Sequence, residues 1–260
     1  MTPGKAPGAR LGAVLLALLL AGPALAAATD PLANGARWED MRREFLPADA
    51  AVVFDARVKV IAPISAENAL NVPVTVDATA LAQVEDVIVF ADNNPIVRIL
   101  RFQPDGALPV LGFRVKLQQS TPVRAAARTA DGVWHVAGAW VNTTGGGCTL
   151  PSTGSASPAW QKQLNAVSSR VWPRQDGGER IRLRVVHPED TGLAAGIPAF
   201  YIEALQLADS DGRSLLRIQG FEPIAENPVF TVDLPAPRRG GYRVSGHDNN
   251  GNAIAATVEK

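Results

Sequence analysis

Among 260 residues there is a single cysteine, Cys148, and its surroundings are the first place to look for chemistry. Gly145, Gly146 and Gly147 stand directly before it, and Thr149, Leu150 and Pro151 follow. A glycine run loses much conformational entropy on ordering, so the spacing predicts a sulfur on a flexible arm, sterically open to a visiting molecule. The thiolate is the nucleophilic form, and an unperturbed cysteine with a pKa of about 8.5 is only a few per cent ionised at neutral pH. No lysine or arginine adjoins it to favour that form; Arg128 and Lys162 are the nearest in sequence. A lone cysteine cannot pair within its own chain, which leaves a buried inert residue, an intermolecular partner or a reactive thiol. Burial is the commonest of these states.

Other residues with chemical potential read as structural. His135, His187 and His247 are scattered, and no pair has metal-ligand spacing, so a strand residue, a loop residue and a hairpin flank are expected and no metal. Asp209-Ser210-Asp211-Gly212 opens like a calcium loop but lacks the downstream ligands, which makes it a turn. Asn142-Thr143-Thr144 fits the glycosylation pattern, a signal frequent by chance. There is no Gly-x-Ser-x-Gly elbow and no phosphate-binding loop, and Cys148 has no base or oxyanion partner in view. The expectation is a chain that is not an enzyme and needs no cofactor.

The residues that must position the cysteine follow a clear order. Lys5 and Arg10, the apolar run from Leu11 to Ala21 and Pro23-Ala24-Leu25-Ala26 read as a signal peptide over 1–26, cleaved after Ala26. The apolar run is shorter than the roughly 20 residues that span a bilayer. A retained N-terminal anchor is the competing reading; cleavage leaves no membrane association. Lysine plus arginine and aspartate plus glutamate balance at 25 each, and the basic residues are dispersed, which argues against nucleic acid as a partner.

Within 27–50, Trp38, Met41 and Phe45 lie at i, i+3 and i+7 and form the apolar face of a short helix that Pro47 stops. Over 51–141 the period becomes two: Val58 and Val60, Val72 to Val76, Val87 and Val89, and Val115 and Leu117 alternate with polar or small residues between turn signals. Residues 142–179 read as a flexible Gly/Ser-rich linker carrying Cys148, then a short helix from Pro158 through Trp160, Leu164 and Val167. Over 180–260 the alternation resumes, with Ile181, Leu183 and Val185 against Arg182, Arg184 and Val186. The predicted class is all-β, two immunoglobulin-like sandwiches joined by the linker.

Residues from about Val58 to Cys148 resemble SoxY, the sulfur-compound carrier subunit of bacterial thiosulfate oxidation. The resemblance rests on Ile61-Ala62-Pro63 with Ala66-Glu67-Asn68, on Val72-Pro73-Val74-Thr75-Val76 and on Val89-Phe90-Ala91-Asp92-Asn93-Asn94-Pro95. It continues through Ser120-Thr121-Pro122-Val123-Arg124-Ala125 and closes at Gly146-Gly147-Cys148. Residues 180–260 are similar to SoxZ through Arg180-Ile181-Arg182, His187-Pro188, Asn227-Pro228 and the turn from Asp248 to Gly251. The order resembles that of the fused SoxYZ-like carriers associated with quinoprotein dehydrogenases. The resemblance implies a periplasmic carrier in which Cys148 holds sulfur intermediates covalently and the two halves pair within the chain. It also implies sulfur-oxidation enzymes, c-type cytochromes or a quinoprotein dehydrogenase as partners. One departure stands out: a SoxY arm ends Gly-Gly-Cys-Gly-Gly at a free terminus, whereas here Thr149-Leu150-Pro151 and another domain follow. A binding module with an incidental thiol is the alternative function.

Overall fold

The computed structural model describes residues 1, 2, 4, 30–32, 37–153 and 158–260. The leader expected over 1–26 falls almost wholly outside them, as do its cleavage point and residues 154–157 of the expected linker. Helix α1 (Trp38–Phe45) precedes eight strands: β1 (Val52–Phe54), β2 (Lys59–Ile61), β3 (Val72–Asp77), β4 (Val84–Ala91), β5 (Arg98–Gln103), β6 (Val110–Val115), β7 (Thr121–Thr129) and β8 (Trp134–Val141). After a one-turn helix α2 (Pro158–Gln161) come β9 (Val167–Pro173), β10 (Glu179–Val185), β11 (Asp190–Thr191), β12 (Ala199–Phe200) and β13 (Ile202–Asp209). The chain ends with β14 (Ser214–Gly220), β15 (Val229–Leu234), β16 (Tyr242–Asp248) and β17 (Ala253–Val258).

The all-β expectation holds, and the strands form two large sheets. One runs β1-β8-β7-β4-β5-β14-β13-β16-β17, the other β2-β3-β6-β15-β10-β9. Each sheet crosses from the first half of the sequence to the second. In the larger, β14 pairs antiparallel with β5 from Arg217 opposite Gln103 to Gly220 opposite Leu100. In the smaller, Thr231 and Val232 of β15 lie opposite Gly112 and Leu111 of β6. The two halves of the sequence therefore meet edge to edge within shared sheets, each covering an edge that would otherwise present unpaired backbone groups. The inward-facing residues of both halves, Val74, Val87, Val89, Leu111, Ile181, Leu183, Phe230 and Val232 among them, form one continuous core.

Helix α1 covers the opposite face of the nine-stranded sheet. Its Trp38 and Met41 are buried against Ile88, Phe90, Trp134 and Val136, the alternate residues of β4 and β8. That is why β4 is apolar on both faces, with Val87 and Val89 turned to the core and Ile88 and Phe90 to the helix.

The segment after Cys148 departs from its sequence reading. The helical stripe through Leu164 and Val167 breaks at Asn165, which adopts φ +62°. The chain then forms β9 along β10, from Val167 opposite Val185 to Pro173 opposite Glu179. The free edge of β10 outweighed the local helical spacing, a tertiary effect that periodicity does not register.

Candidate functional site

The site is assembled by the residues that follow β6 and the turn between β4 and β5. Past Val115 the chain continues as Lys116-Leu117-Gln118, with the Leu117 amide bonded to the Ala69 carbonyl at 2.8 Å. The arm from Thr143 to Thr149 lies on this segment. Gly146 and Gly147 donate backbone hydrogen bonds to the carbonyls of Gln118 (3.1 Å) and Leu117 (3.0 Å). The Gln118 side-chain carbonyl accepts from the Cys148 amide at 3.1 Å and from the Thr149 hydroxyl at 3.3 Å. Asn94 holds both strands of this arrangement. Its Oδ1 accepts from the Gln118 amide at 2.8 Å, and its Nδ2 donates to the Lys116 carbonyl at 3.0 Å and faces the Cys148 Sγ at 3.6 Å.

The thiol is consequently buried, with no exposed surface. The open, mobile sulfur expected from composition is here a docked one. The glycines explain the difference, since a residue without a side chain permits close approach as readily as motion. A Cβ on Gly147 would lie 2.2 Å from the Ala69 carbonyl oxygen and 2.6 Å from that of Leu117. Gly145 and Gly146 both take positive φ, +89° and +87°.

The second half of the chain completes the enclosure. The Thr191 hydroxyl donates to the Cys148 carbonyl, and the Lys116 ammonium reaches the Glu189 carbonyl. Downstream, the Ser152 amide donates to Asp190 Oδ1 at 2.9 Å, and Thr153 donates from its amide and hydroxyl to Glu226, each at 2.8 Å. The arm is thus held at both ends, by Leu117 and Gln118 before the cysteine and by acidic residues of the other half after it. A cleft of about 260 Å³ bordered by Asn68, Lys116, Ser152, Thr153 and Glu226 adjoins the downstream end.

Burial sets the electrostatics. It pushes the Cys148 thiol up to about 11, with the Lys116 charge and the Asn94 and Gln118 hydrogen bonds acting against it. At neutral pH that leaves about one thiolate in ten thousand, against a few per cent for an undocked cysteine. Burial also pulls the Lys116 ammonium below its ordinary range, while Glu189 and Asp190 favour its charged form. The docked state therefore keeps the thiol protonated and weakly nucleophilic.

The three histidines lie apart. His135 bridges Asp55 at 2.8 Å and the Thr129 hydroxyl at 3.2 Å within the sheet. His247 meets Glu203 near the surface at 3.3 Å. His187 is buried behind the Cys148 enclosure, where its Nδ1 accepts from the Glu189 amide at 3.1 Å. Asp209 caps its own turn through the amides of Asp211 and Arg213.

Residues 42–148 match the family model described as sulfur oxidation protein SoxY. That stretch is less than half of the chain, and its last residue is Cys148. Residues 180–260, expected from their sequence to be similar to SoxZ, lie outside it. The chain is similar to a solved structure of the sulfur carrier protein SoxY from Chlorobium limicola f thiosulfatophilum, with 17% identity over 43% of this chain and 98% of that one, at a TM-score of 0.36. No curated protein matches the chain. Among the described residues no helix is long and apolar enough to cross a membrane.

Asn94, Lys116, Gln118 and Thr191 were not singled out by the sequence as companions of the cysteine. Two signals are available in the sequence: a lysine between apolar residues, Val115-Lys116-Leu117, and the Asn93-Asn94-Pro95 turn. Gln118 is the side chain whose removal tests the docking most gently. Gln118→Ala takes away the acceptor for the Cys148 amide and the Thr149 hydroxyl, so about 1 to 2 kcal/mol of docking is lost. Alkylation of the folded protein by iodoacetamide should then accelerate about tenfold, with thermal stability little changed.

Proposed function

We propose that this protein is a non-enzymatic, periplasmic carrier that holds sulfur-compound intermediates covalently on Cys148 for separate sulfur-oxidising enzymes. The observation that carries the reading is the SoxY family match, which runs to residue 148 and so ends on the only thiol of the chain. In the loading step the Cys148 thiolate and the terminal sulfur of thiosulfate join in an S–S bond. Two electrons leave to an acceptor, for which a c-type cytochrome is the proposed partner. The thiol proton goes to solvent.

An adduct adds several heavy atoms to a sulfur with no exposed surface, which a close-packed niche accommodates only if the arm moves, even with the Lys116 ammonium nearby. Loading therefore favours the lifted arm, which is the form a partner enzyme would engage. Both tethers remain attached, so the reach is that of a loop rather than of a free chain end. Export through the expected leader puts the carrier in the periplasm, and a quinoprotein dehydrogenase is a further proposed partner, on the resemblance of the fused order.

The buried thiol gives specific support to a second reading, in which the protein is an accessory binding module for such a dehydrogenase or cytochrome and the cysteine is only a core residue. Intact-mass measurement after incubation with thiosulfate and a one-electron oxidant separates the two. The carrier gains the mass of one thiosulfate on wild type and none on Cys148→Ser. An unmodified wild type, with Cys148→Ser complementing a deletion strain, leaves the binding module.

A further inference from the structure

The basic residues that are dispersed in sequence are gathered in space on the outer face of the six-stranded sheet. Cross-strand register does this. Gly112 lies opposite Thr75 on β3 and Thr231 on β15, Thr231 lies opposite Arg182 on β10, and Arg182 lies opposite Arg170 on β9. The neighbouring row carries Arg184 opposite Ser168, with Arg114 opposite Pro73 on the far side. Gly112 leaves a gap in the middle of the face, at the seam between the two halves. The result is a hollow of about 530 Å³ bordered by four arginines, Trp172 and several hydroxyls, and by no acidic side chain.

We propose that this hollow docks an acidic surface of a partner protein. All four guanidinium groups, Arg114, Arg170, Arg182 and Arg184, belong to exposed residues, and none has a carboxylate partner among the described residues. Arg170 and Arg182 sit directly opposite each other, a like-charge pair that destabilises the sheet. Both lie over the Trp172 ring, at 5.2 and 5.6 Å from its centroid, which holds them in place without neutralising them. In a chain with balanced total charge, such a concentration is a directed field.

The distribution selects the occupant. The arginines span four strands, roughly 14 Å at the usual strand spacing. That is too wide for one small oxyanion to bridge and well suited to a strip of carboxylates. A half-buried tryptophan flanked by arginines is also the composition of protein interface hot spots. The inference stands on this face alone and does not depend on what Cys148 carries.

A fluorescein-labelled peptide of ten glutamates, titrated with the mature protein at low salt, is the direct probe. Wild type should bind, and binding should weaken as salt rises. R170S/R182S/R184S should lose at least about tenfold in affinity, whereas R213S/R239S/R243S, which removes the same charge from an exposed patch elsewhere, should stay within about twofold. Equal losses in both variants, or no peptide binding by wild type, would overturn the proposal. Saturable displacement of the peptide by inorganic sulfate or thiosulfate at constant ionic strength would also overturn it, in favour of a small-anion site. Matching melting temperatures for the two variants keep misfolding from imitating the effect.

Discussion

Gly147→Val is expected to expose Cys148 in an otherwise folded protein and to raise its alkylation rate at neutral pH about a hundredfold. Both obstacles to a Cβ at this position are backbone carbonyl oxygens, those of Ala69 and Leu117 at 2.2 and 2.6 Å. Neither can swing aside as a flexible side chain would, and each already accepts a backbone hydrogen bond. The arm must therefore lift, and its thiol returns from about 11 to an ordinary value near 8.5. A fall of that size corresponds to more than two orders of magnitude in thiolate at pH 7. Gly146→Ala is the graded control: nothing lies within 4 Å of its Cβ, but φ is +87°, so only about 1 kcal/mol of strain is added and the rate should rise several-fold. Unchanged alkylation of Gly147→Val would mean that the thiol is not held as described.

The same shift gives docking a pH dependence. The thiol binds its proton more tightly docked than free, so its contribution to docking is fully present below about pH 8.5 and is lost as pH rises toward 11. In wild type the alkylation rate should climb across this window, and in Gly147→Val the midpoint should move down to the ordinary cysteine range.

Arg124→Met is expected to destabilise the fold by about 3 to 5 kcal/mol, measured by urea denaturation. Arg124 has no exposed surface. Its guanidinium bonds to Asp92 at 3.0 and 3.1 Å and to Asp30 at 2.7 and 2.9 Å, and it lies 5.5 Å from the Trp38 ring centroid. Methionine fills similar space but leaves Asp92 enclosed without its cation, and burial already pushes that carboxyl upward. The damage should reach the thiol as well, because Asp92 opens the turn that presents Asn94 to Cys148. Faster alkylation in parallel with the lost stability is the expected signature. Arg124→Lys, which keeps a charge but not the forked geometry, should recover only part of either.

How much of this was legible in the sequence depends on the distance over which each signal acts. Alternation at Val72 to Val76 and at Ile181 to Val185 gave strands correctly because inward and outward positions are a local property of a pleated chain. The β7–β8 turn holds the turn-favouring pair Asp131-Gly132, with Gly132 at φ +85°. The seam pairs β5–β14 and β6–β15 were invisible, since nothing in a strand records which distant edge it will meet. The candidate site suffered in the same way. Cys148 could be singled out by its neighbours, but its enclosure comes from Asn94, Gln118 and Thr191, which are 54, 30 and 43 residues away. Composition also cuts two ways there: three glycines permit freedom, and at Gly147 the missing side chain serves contact.

The shared sheets have a bearing on why the two halves occupy one polypeptide. Made separately, each would expose two bare ladder edges, β5 and β6 on one and β14 and β15 on the other, while waiting for its mate. Such edges recruit whatever strand arrives first. A covalent tether turns the encounter into a unimolecular event at an effective concentration on the order of millimolar, whatever the expression level. Correct mating then no longer competes with aggregation, and every molecule carries one thiol and one complete enclosure for it.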